Sequence, residues 1–207
     1  MVDVIKIIAA AVAGYLLGSL NTAVIVGKIL GKDVRSHGSK GAGLTNTLRV
    51  LGKSAAAMVL LGDVLKGIIA CLIGLLIGVY YTQGTATDCV SLIAAGLGAV
   101  IGHNWPVYFG FKGGKGVLTA VAVLFMMNWV VALICLGVFG AIVAVTRYVS
   151  LGSICAAIVF ASISFIPWFG NTIFFYIFSY CIAVLVVTRH IKNIRRLLTG
   201  TENKLMC

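Results

Sequence analysis

Apolar runs of membrane length alternate with short polar breaks along almost the whole chain. The first runs from Val4 to about Gly27, the next from Ser54 to Tyr81, and a third from Cys89 to Tyr108. From Val117 to Thr188 the chain is almost continuously apolar, with Arg147 its only charge. A bilayer crossing needs roughly 20 apolar residues, so each run is long enough to be a transmembrane helix. The pattern predicts an all-α polytopic membrane helix bundle, one domain over residues 1–207. Within the first run Gly14-x3-Gly18 predicts a close helix–helix approach. The polar cluster Gly18-Ser19-Leu20-Asn21-Thr22 sits near its far end, where it needs partners.

Charge sets the topology. The segment Lys28–Lys53 carries Lys28, Lys32, Arg35, Lys40, Arg49 and Lys53 against Asp33 alone, so it belongs on the cytoplasmic side and the N-terminus outside. The loop Thr82–Asp88 has no Lys or Arg and falls outside. Lys112, Lys115, Arg147 and the basic tail from Arg189 fall inside. Those sides require Val117–Thr146 to cross twice, turning near Asn128-Trp129. Tyr148–Pro167 then leads outward, Trp168–Thr172 turns, and Ile173–Thr188 returns. The result is seven transmembrane helices, N-terminus outside and C-terminus cytoplasmic. A single long helix over Val117–Thr146 would strand the basic tail outside.

The composition agrees. The chain of 207 residues is 61% hydrophobic and 10% charged, with a mean hydropathy of +1.11, far from a soluble domain. Its net charge of +11 has no soluble domain to carry it. It therefore suits anionic lipid headgroups or an anionic substrate rather than nucleic acid. Cys71, Cys89, Cys135, Cys155, Cys181 and Cys207 lack CxxC spacing, and most lie in apolar runs, so they are expected as small buried hydrophobes. No A-x-A-like site follows the first apolar run, which reads as a retained span.

Two glycine-rich stretches carry the candidate chemistry. Gly110-Phe111-Lys112-Gly113-Gly114-Lys115-Gly116 combines backbone N–H groups that can approach a ligand closely with compact positive charge. Gly38-Ser39-Lys40-Gly41-Ala42-Gly43-Leu44-Thr45-Asn46, ending at Arg49, adds hydroxyls, an amide and a guanidinium fork. Neither is a Walker loop. The topology gathers Arg35–Arg49, His103–Gly116, Arg147–Ser153 and Arg189–Arg196 on one face, although charge-based sorting alone would also collect basic loops there. Asp63 and Lys66, three apart on one helical face, form an expected structural ion pair. His37 reads as a solvated loop residue. His103, beside Asn104, and His190, beside Arg189, read equally as bases or as hydrogen-bonded interface residues. With five acidic residues in the chain, paired-carboxylate hydrolysis is disfavoured; no metal-ligand spacing is present. Cations, hydroxyls and glycines suit phosphate binding and stabilisation of an anionic transition state. An organic-phosphate exchanger would use a similar basic pocket, but should show inverted repeats and polar groups at midplane.

In order along the chain, the motifs are Gly18-Ser19 with Gly27-Lys28; Gly38-Ser39 through Thr45-Asn46 and Arg49; Asp63 with Lys66-Gly67; and Gly102-His103-Asn104 with Pro106 and Phe111 to Gly116. Tyr148-Val149-Ser150-Leu151 with Ser153 follows, then Arg189-His190, Asn193, Arg196-Leu197-Leu198 and Gly200. This set resembles the bacterial acyl-phosphate:glycerol-3-phosphate acyltransferase family. That family usually reads Gly-Ser-Gly-Asn-x-Gly-Ala-Thr-Asn; here Lys40-Gly41 replaces Gly-Asn and Leu44 replaces Ala. The resemblance implies transfer of a fatty acyl group from acyl phosphate to the 1-hydroxyl of glycerol 3-phosphate, giving lysophosphatidic acid and inorganic phosphate. It implies no cofactor, no metal and no covalent acyl-enzyme. It places the protein in the bacterial cytoplasmic membrane, among membrane lipid, with an encounter with the soluble enzyme that makes acyl phosphate. It implies catalytic roles for Ser39, Arg49, Lys115, His190 and Asn193. Substrate or phosphate contacts fall on Gly38, Gly43, Thr45, Asn46, Lys112, Gly113, Gly114, Gly116 and Ser153. Ser19, Arg35, His103 and Asn104 are further candidates.

Overall fold

The computed structural model describes residues 2–81, 85–169 and 172–205. Among them every regular element is helical. In chain order these are α1 (Val2–Gly18), α2 (Thr22–Ile29), α3 (Leu44–Leu51), α4 (Lys53–Ile77), α5 (Val90–Asn104), α6 (Val117–Met127), α7 (Trp129–Thr146), α8 (Val149–Ile163), α9 (Ile173–Arg189) and α10 (Ile191–Leu198). Short 3-10 turns lie at Val34–Ser36 and Val107–Phe109. Four stretches are long and apolar enough to span a membrane: Asp3–Ile29, Lys53–Ile77, Val90–Phe109 and Trp129–Thr146. A fifth is α9 with α10, if their 57° bend lies within one span; α6 and α8 are shorter apolar helices. The α7 span is only 17% buried although it carries no charge and is apolar up to its last residue, Thr146. Such a helix is stable only where its solvent is lipid, so the protein is an integral membrane helix bundle.

Small residues set the closest contact. A Cβ on Gly14 or Gly18 of α1 would overlap the Ala95 or Ala99 carbonyl of α5; Gly98 and Gly102 return the fit against Ala11 and Tyr15. The expected small-xxx-small seam is therefore present and faces α5.

The first apolar run does not continue as one helix. It breaks at Ser19–Asn21, where Asn21 Oδ1 caps α2 by accepting the Val24 N–H at 3.2 Å. The Leu20 carbonyl released by the break accepts from Lys66 Nζ at 3.2 Å, which satisfies it inside the bundle. The long run after Val117 breaks where charge sorting required it. Helix α6 stops at Met127, and Asn128 Oδ1 caps α7 through Val131 N at 3.1 Å. Its Nδ2 also donates to Phe169 O at 2.7 Å, which ties this turn to the segment that follows α8. The expected outer loops Thr82–Asp88 and Trp168–Thr172 lie partly outside the described residues. Their described edges meet: Thr172 Oγ1 donates to Thr87 O at 2.7 Å.

The stretch Lys28–Lys53, expected as one polar segment, contains helix α3. Its apolar positions Leu44, Leu48 and Leu51 share one face, and Leu44 and Leu51 pack on the core of Val34, Ala55 and Val59. High charge density masks that short pattern in the sequence. Asp63 and Lys66 form the expected ion pair at 2.8 Å. Cys71, Cys89 and Cys135 are buried free thiols, Cys155 and Cys181 are half-buried and free, and Cys207 lies outside the described residues.

A candidate anion site at the basic face

The two glycine loops are tied to the helix ends and approach each other at Gly114 and Ala42. Asn46, in the first turn of α3, organises the first loop. Its Nδ2 donates to Val34 O (2.8 Å), Gly41 O (3.0 Å) and His37 O (3.1 Å), and its Oδ1 accepts from Ser39 N at 2.8 Å. Gly38 has φ +58°, and a Cβ there would overlap Asn46 Oδ1. Asn46 thus shapes the cradle, its amide already engaged with the backbone. Gly43, extended, immediately precedes α3, so Leu44, Thr45 and Asn46 stand at a helix N-terminus with half-buried Thr45 and Ser39 nearby in the chain.

Lys40 occupies a left-handed position, φ +58°, where the resembled family has glycine. A side chain there costs about 1 kcal/mol. Lys40→Gly should therefore raise the unfolding midpoint in detergent, by roughly that free energy, with little change in turnover.

The second loop, after α5, is held by His103, Arg189, Arg35 and Ser19. Gly114 N donates to His103 O at 3.1 Å. Arg189, at the end of α9, donates from Nε to Gly114 O (3.0 Å) and from Nη2 to Gly114 O (2.7 Å) and Gly113 O (3.3 Å), while its guanidinium lies 5.1 Å from the Trp105 ring centre. Arg35, paired with Asp33 at 2.8 Å, donates to Phe109 O (3.2 Å) and Lys112 O (3.4 Å). Ser19 Oγ accepts from Val107 N at 3.3 Å. Ser19 and Arg35 therefore both touch the backbone at this loop. Lys112 is exposed, whereas Gly114 and Gly116 are buried and Lys115 is half-buried. A Cβ on Gly113 would overlap the His103 carbonyl, and one on Gly116 would stand 2.7 Å from Asn104 Oδ1. Asn104 is fully buried, and among the described residues neither of its amide atoms has a hydrogen-bond partner.

The sequence reading missed Glu202. Beyond α10, Gly200 turns the chain at φ +69° and the tail folds back over the basic face. Glu202 Oε1 accepts from Asn193 Nδ2 at 2.6 Å and Ser150 Oγ at 2.8 Å. Its Oε2 lies 2.9 Å from Arg196 Nε, close but not aligned as a hydrogen bond. Arg49 Nη2 donates to Asn203 O (3.3 Å) and Lys204 O (3.4 Å), and Leu205 N to Arg147 O (2.8 Å). The available signal was its rarity: one acid in the otherwise basic stretch Arg189–Lys204.

The candidates meet around Lys115. Burial draws its ammonium down to about 8; Glu202 opposes that shift, while Arg196, Arg49 and Arg189 add to it. Burial, followed by the charge of Lys115, draws His190 down to about 4, so the ring is neutral near pH 7. Its Nδ1 donates to Val186 O at 2.7 Å, which leaves Nε2 as the acceptor of the ring. Asn193 is one helical turn further on. Ser153 Oγ donates to Val149 O at 2.9 Å and lies at the edge of an apolar slot of about 50 Å³ between α6, α7, α8 and α9, lined by Val117, Ala120, Leu124, Ala157, Phe160 and Val186. Arg49, Lys115, His190 and Asn193 thus belong to one cluster, with an apolar slot beside it. A cationic, hydroxyl-bearing surface of this kind can hold phosphates and stabilise developing negative charge.

Residues 8–200 match the family model described as Glycerol-3-phosphate acyltransferase. The chain is 44% identical over 196 residues to the glycerol-3-phosphate acyltransferase of Thermoanaerobacter pseudethanolicus, covering 94% of this chain and 93% of that one. It is 42% identical over 208 residues to that of Clostridioides difficile, covering 98% and 97%. Among solved structures it resembles PlsY (YgiH), an integral membrane glycerol 3-phosphate acyltransferase, in its glycerol 3-phosphate form (TM-score 0.85, 38% identity, 100% of this chain and 96% of that chain). The lysophosphatidic acid form matches similarly (TM-score 0.84, 38% identity, 97% and 95%).

Proposed function

Because the chain belongs to the glycerol-3-phosphate acyltransferase family, we propose that it transfers a fatty acyl group from acyl phosphate to the 1-hydroxyl of glycerol 3-phosphate at the cytoplasmic face of a bacterial membrane. In this reading α1 with α2, α4, α5, α6, α7, α8 and α9 are the seven crossings, with the N-terminus outside. The observation that carries the mechanism is the cluster of Arg49, Lys115, Arg189 and Arg196 around one face. Two substrates that each carry a phosphate repel each other, and cations between them offset that repulsion. Arg49 and Lys115 hold the phosphates. Ser39, Thr45 and the backbone of Gly43 and Gly113–Gly116 complete the cradle, and Ser153 marks where the acyl carbonyl meets the apolar slot.

The neutral His190 Nε2 accepts from the glycerol hydroxyl, and Asn193, its Nδ2 fixed by Glu202, orients the same group. The hydroxyl oxygen attacks the acyl carbonyl carbon, the bond from that carbon to the phosphate oxygen breaks, and the hydroxyl proton ends on the departing phosphate. With phosphate as leaving group, alignment contributes more than a strong base.

The test is a donor panel. The purified protein in detergent micelles, given glycerol 3-phosphate with acyl phosphate, acyl-CoA or acylated carrier protein, should form product with acyl phosphate. Product from the thioesters alone would overturn the donor assignment. Because micelles enclose no compartment, any product also rules out transport as the whole activity.

Lys115 gives this reading a pH dependence. Below about 8 the ammonium is charged and binds phosphate; above it the charge, and the attraction, are lost. The apparent KM for glycerol 3-phosphate should rise as pH passes through 8 and beyond. Lys115→Arg, always charged, should flatten that alkaline limb. Rates measured from pH 6.5 to 9.5 check both outcomes.

A further inference from the structure

Behind the two glycine loops lies a buried group of ionisable side chains that the mechanism does not use: Asp63 and Lys66 of α4 and His103 of α5. Lys66 Nζ is 2.8 Å from Asp63 Oδ1, 3.2 Å from Leu20 O and 2.9 Å from His103 Nδ1. An ammonium has three donors, and here it has three acceptors. His103 Nδ1 also lies 3.5 Å from Asp63 Oδ1, but the ammonium is nearer and takes its lone pair, because an Nδ1–H would face that ammonium head-on. The single proton of the neutral ring then sits on Nε2. Asp63, which also accepts from Thr22 Oγ1 at 3.2 Å, balances the Lys66 charge. The group is therefore neutral and hydrogen-bonded, the condition under which buried charges are tolerated.

Nε2 faces the seam between the loops. A Cβ at residue 114 would overlap both His103 Nε2 and the Ala42 carbonyl oxygen, so these two atoms flank the same point; the Ala42 oxygen itself accepts from Asn21 Nδ2 at 3.5 Å. His103 meets the second loop through its own carbonyl, which accepts from Gly114 N at 3.1 Å. Building on the acyl-transfer reading above, we infer that Asp63 and Lys66 lock His103 in its Nε2–H tautomer, and that this N–H, set beside the Ala42 carbonyl oxygen without a hydrogen bond to it, favours the seating of the first anion-binding loop against the second by the attraction of its positive end for that oxygen. His103, Lys66 and Asp63 are positioning residues. In the other tautomer an Nε2 lone pair would face the Ala42 carbonyl, and their repulsion would part Ser39 and Thr45 from Lys115.

The tautomer can be measured without reference to activity. With ¹⁵N-labelled histidine in detergent, and His103 assigned by the signals lost in His103→Gln, wild type should show a protonated Nε2 and an unprotonated Nδ1. Lys66→Met should move the proton to Nδ1, toward Asp63. A wild-type ring protonated on Nδ1, or a tautomer unmoved in Lys66→Met, overturns the inference.

Kinetics supply the second readout. His103→Leu should raise KM for both glycerol 3-phosphate and acyl phosphate at least tenfold. His103→Gln, whose amide can place an N–H near the Nε2 position, should recover most of that loss. Leu and Gln variants of equal activity would contradict the docking role. If His103→Leu does not fold, Lys66→Met carries the kinetic arm, with the same expected rise in both KM values and an unchanged KM as the contrary result. A wild type inactive with acyl phosphate would overturn the proposed function and leave the tautomer measurement intact.

Discussion

Arg49→Ala and Lys115→Ala should each lower kcat/KM by about 10²- to 10³-fold, the range seen when one preorganised donor to a developing anion is removed. Both side chains belong to the cationic cluster, and neither supports the fold to a comparable degree. Arg49 is half-buried and its protein partners are the backbone carbonyls of Asn203 and Lys204. Lys115 follows a loop already held by Arg189, Arg35 and His103. The variants should therefore elute from gel filtration and melt like wild type. The losses should differ in kind between conservative replacements. Lys115→Arg keeps the charge and should retain partial activity, whereas Arg49→Lys loses the two-pronged donor and should recover less.

Asn46→Ala should act through structure instead. The side chain is 3% exposed and makes hydrogen bonds to three carbonyls and one N–H of the first loop. Its removal leaves Val34 O, Gly41 O, His37 O and Ser39 N without that partner. At a net value near 1 kcal/mol per bond, the expected loss of stability is about 3 kcal/mol, with KM rising for both substrates as the loop opens. Asn46→Asp is the informative control. It nearly preserves volume but turns a carboxylate oxygen toward three carbonyls, so it should be at least as damaging as Ala. Thermal unfolding in detergent, with steady-state kinetics on the same preparations, checks both. An Asn46→Asp protein as stable as wild type would show that the amide is not the organiser of the loop.

Much of this architecture was legible in the chain. The break at Asn128 follows from charge sorting, because Arg147 and the basic tail had to share a side with Lys115. The α1–α5 seam was written in Gly14 and Gly18, and the Asp63–Lys66 pair in a spacing of three residues. Other features depend on contacts distant in sequence. Helix α3 hides beneath charge, its apolar face being only Leu44, Leu48 and Leu51. His103 joins Lys66 across 37 residues, and Ser150 meets Glu202 across 52. No local period or motif encodes either meeting. Asn46 and Arg35 illustrate a further limit: residue type shows that a side chain can bind phosphate, while their hydrogen bonds to the backbone of the loops depend on the fold.

The claim on which everything rests is that one cationic face holds both anionic reactants together, so that the acyl group passes directly between them. Initial rates measured over a matrix of acyl phosphate and glycerol 3-phosphate concentrations test it most directly. Double-reciprocal lines that intersect, with no acyl label retained on the protein in the absence of glycerol 3-phosphate, are the expected result. Parallel lines, with a labelled acyl-enzyme isolated from acyl phosphate alone, would contradict the account.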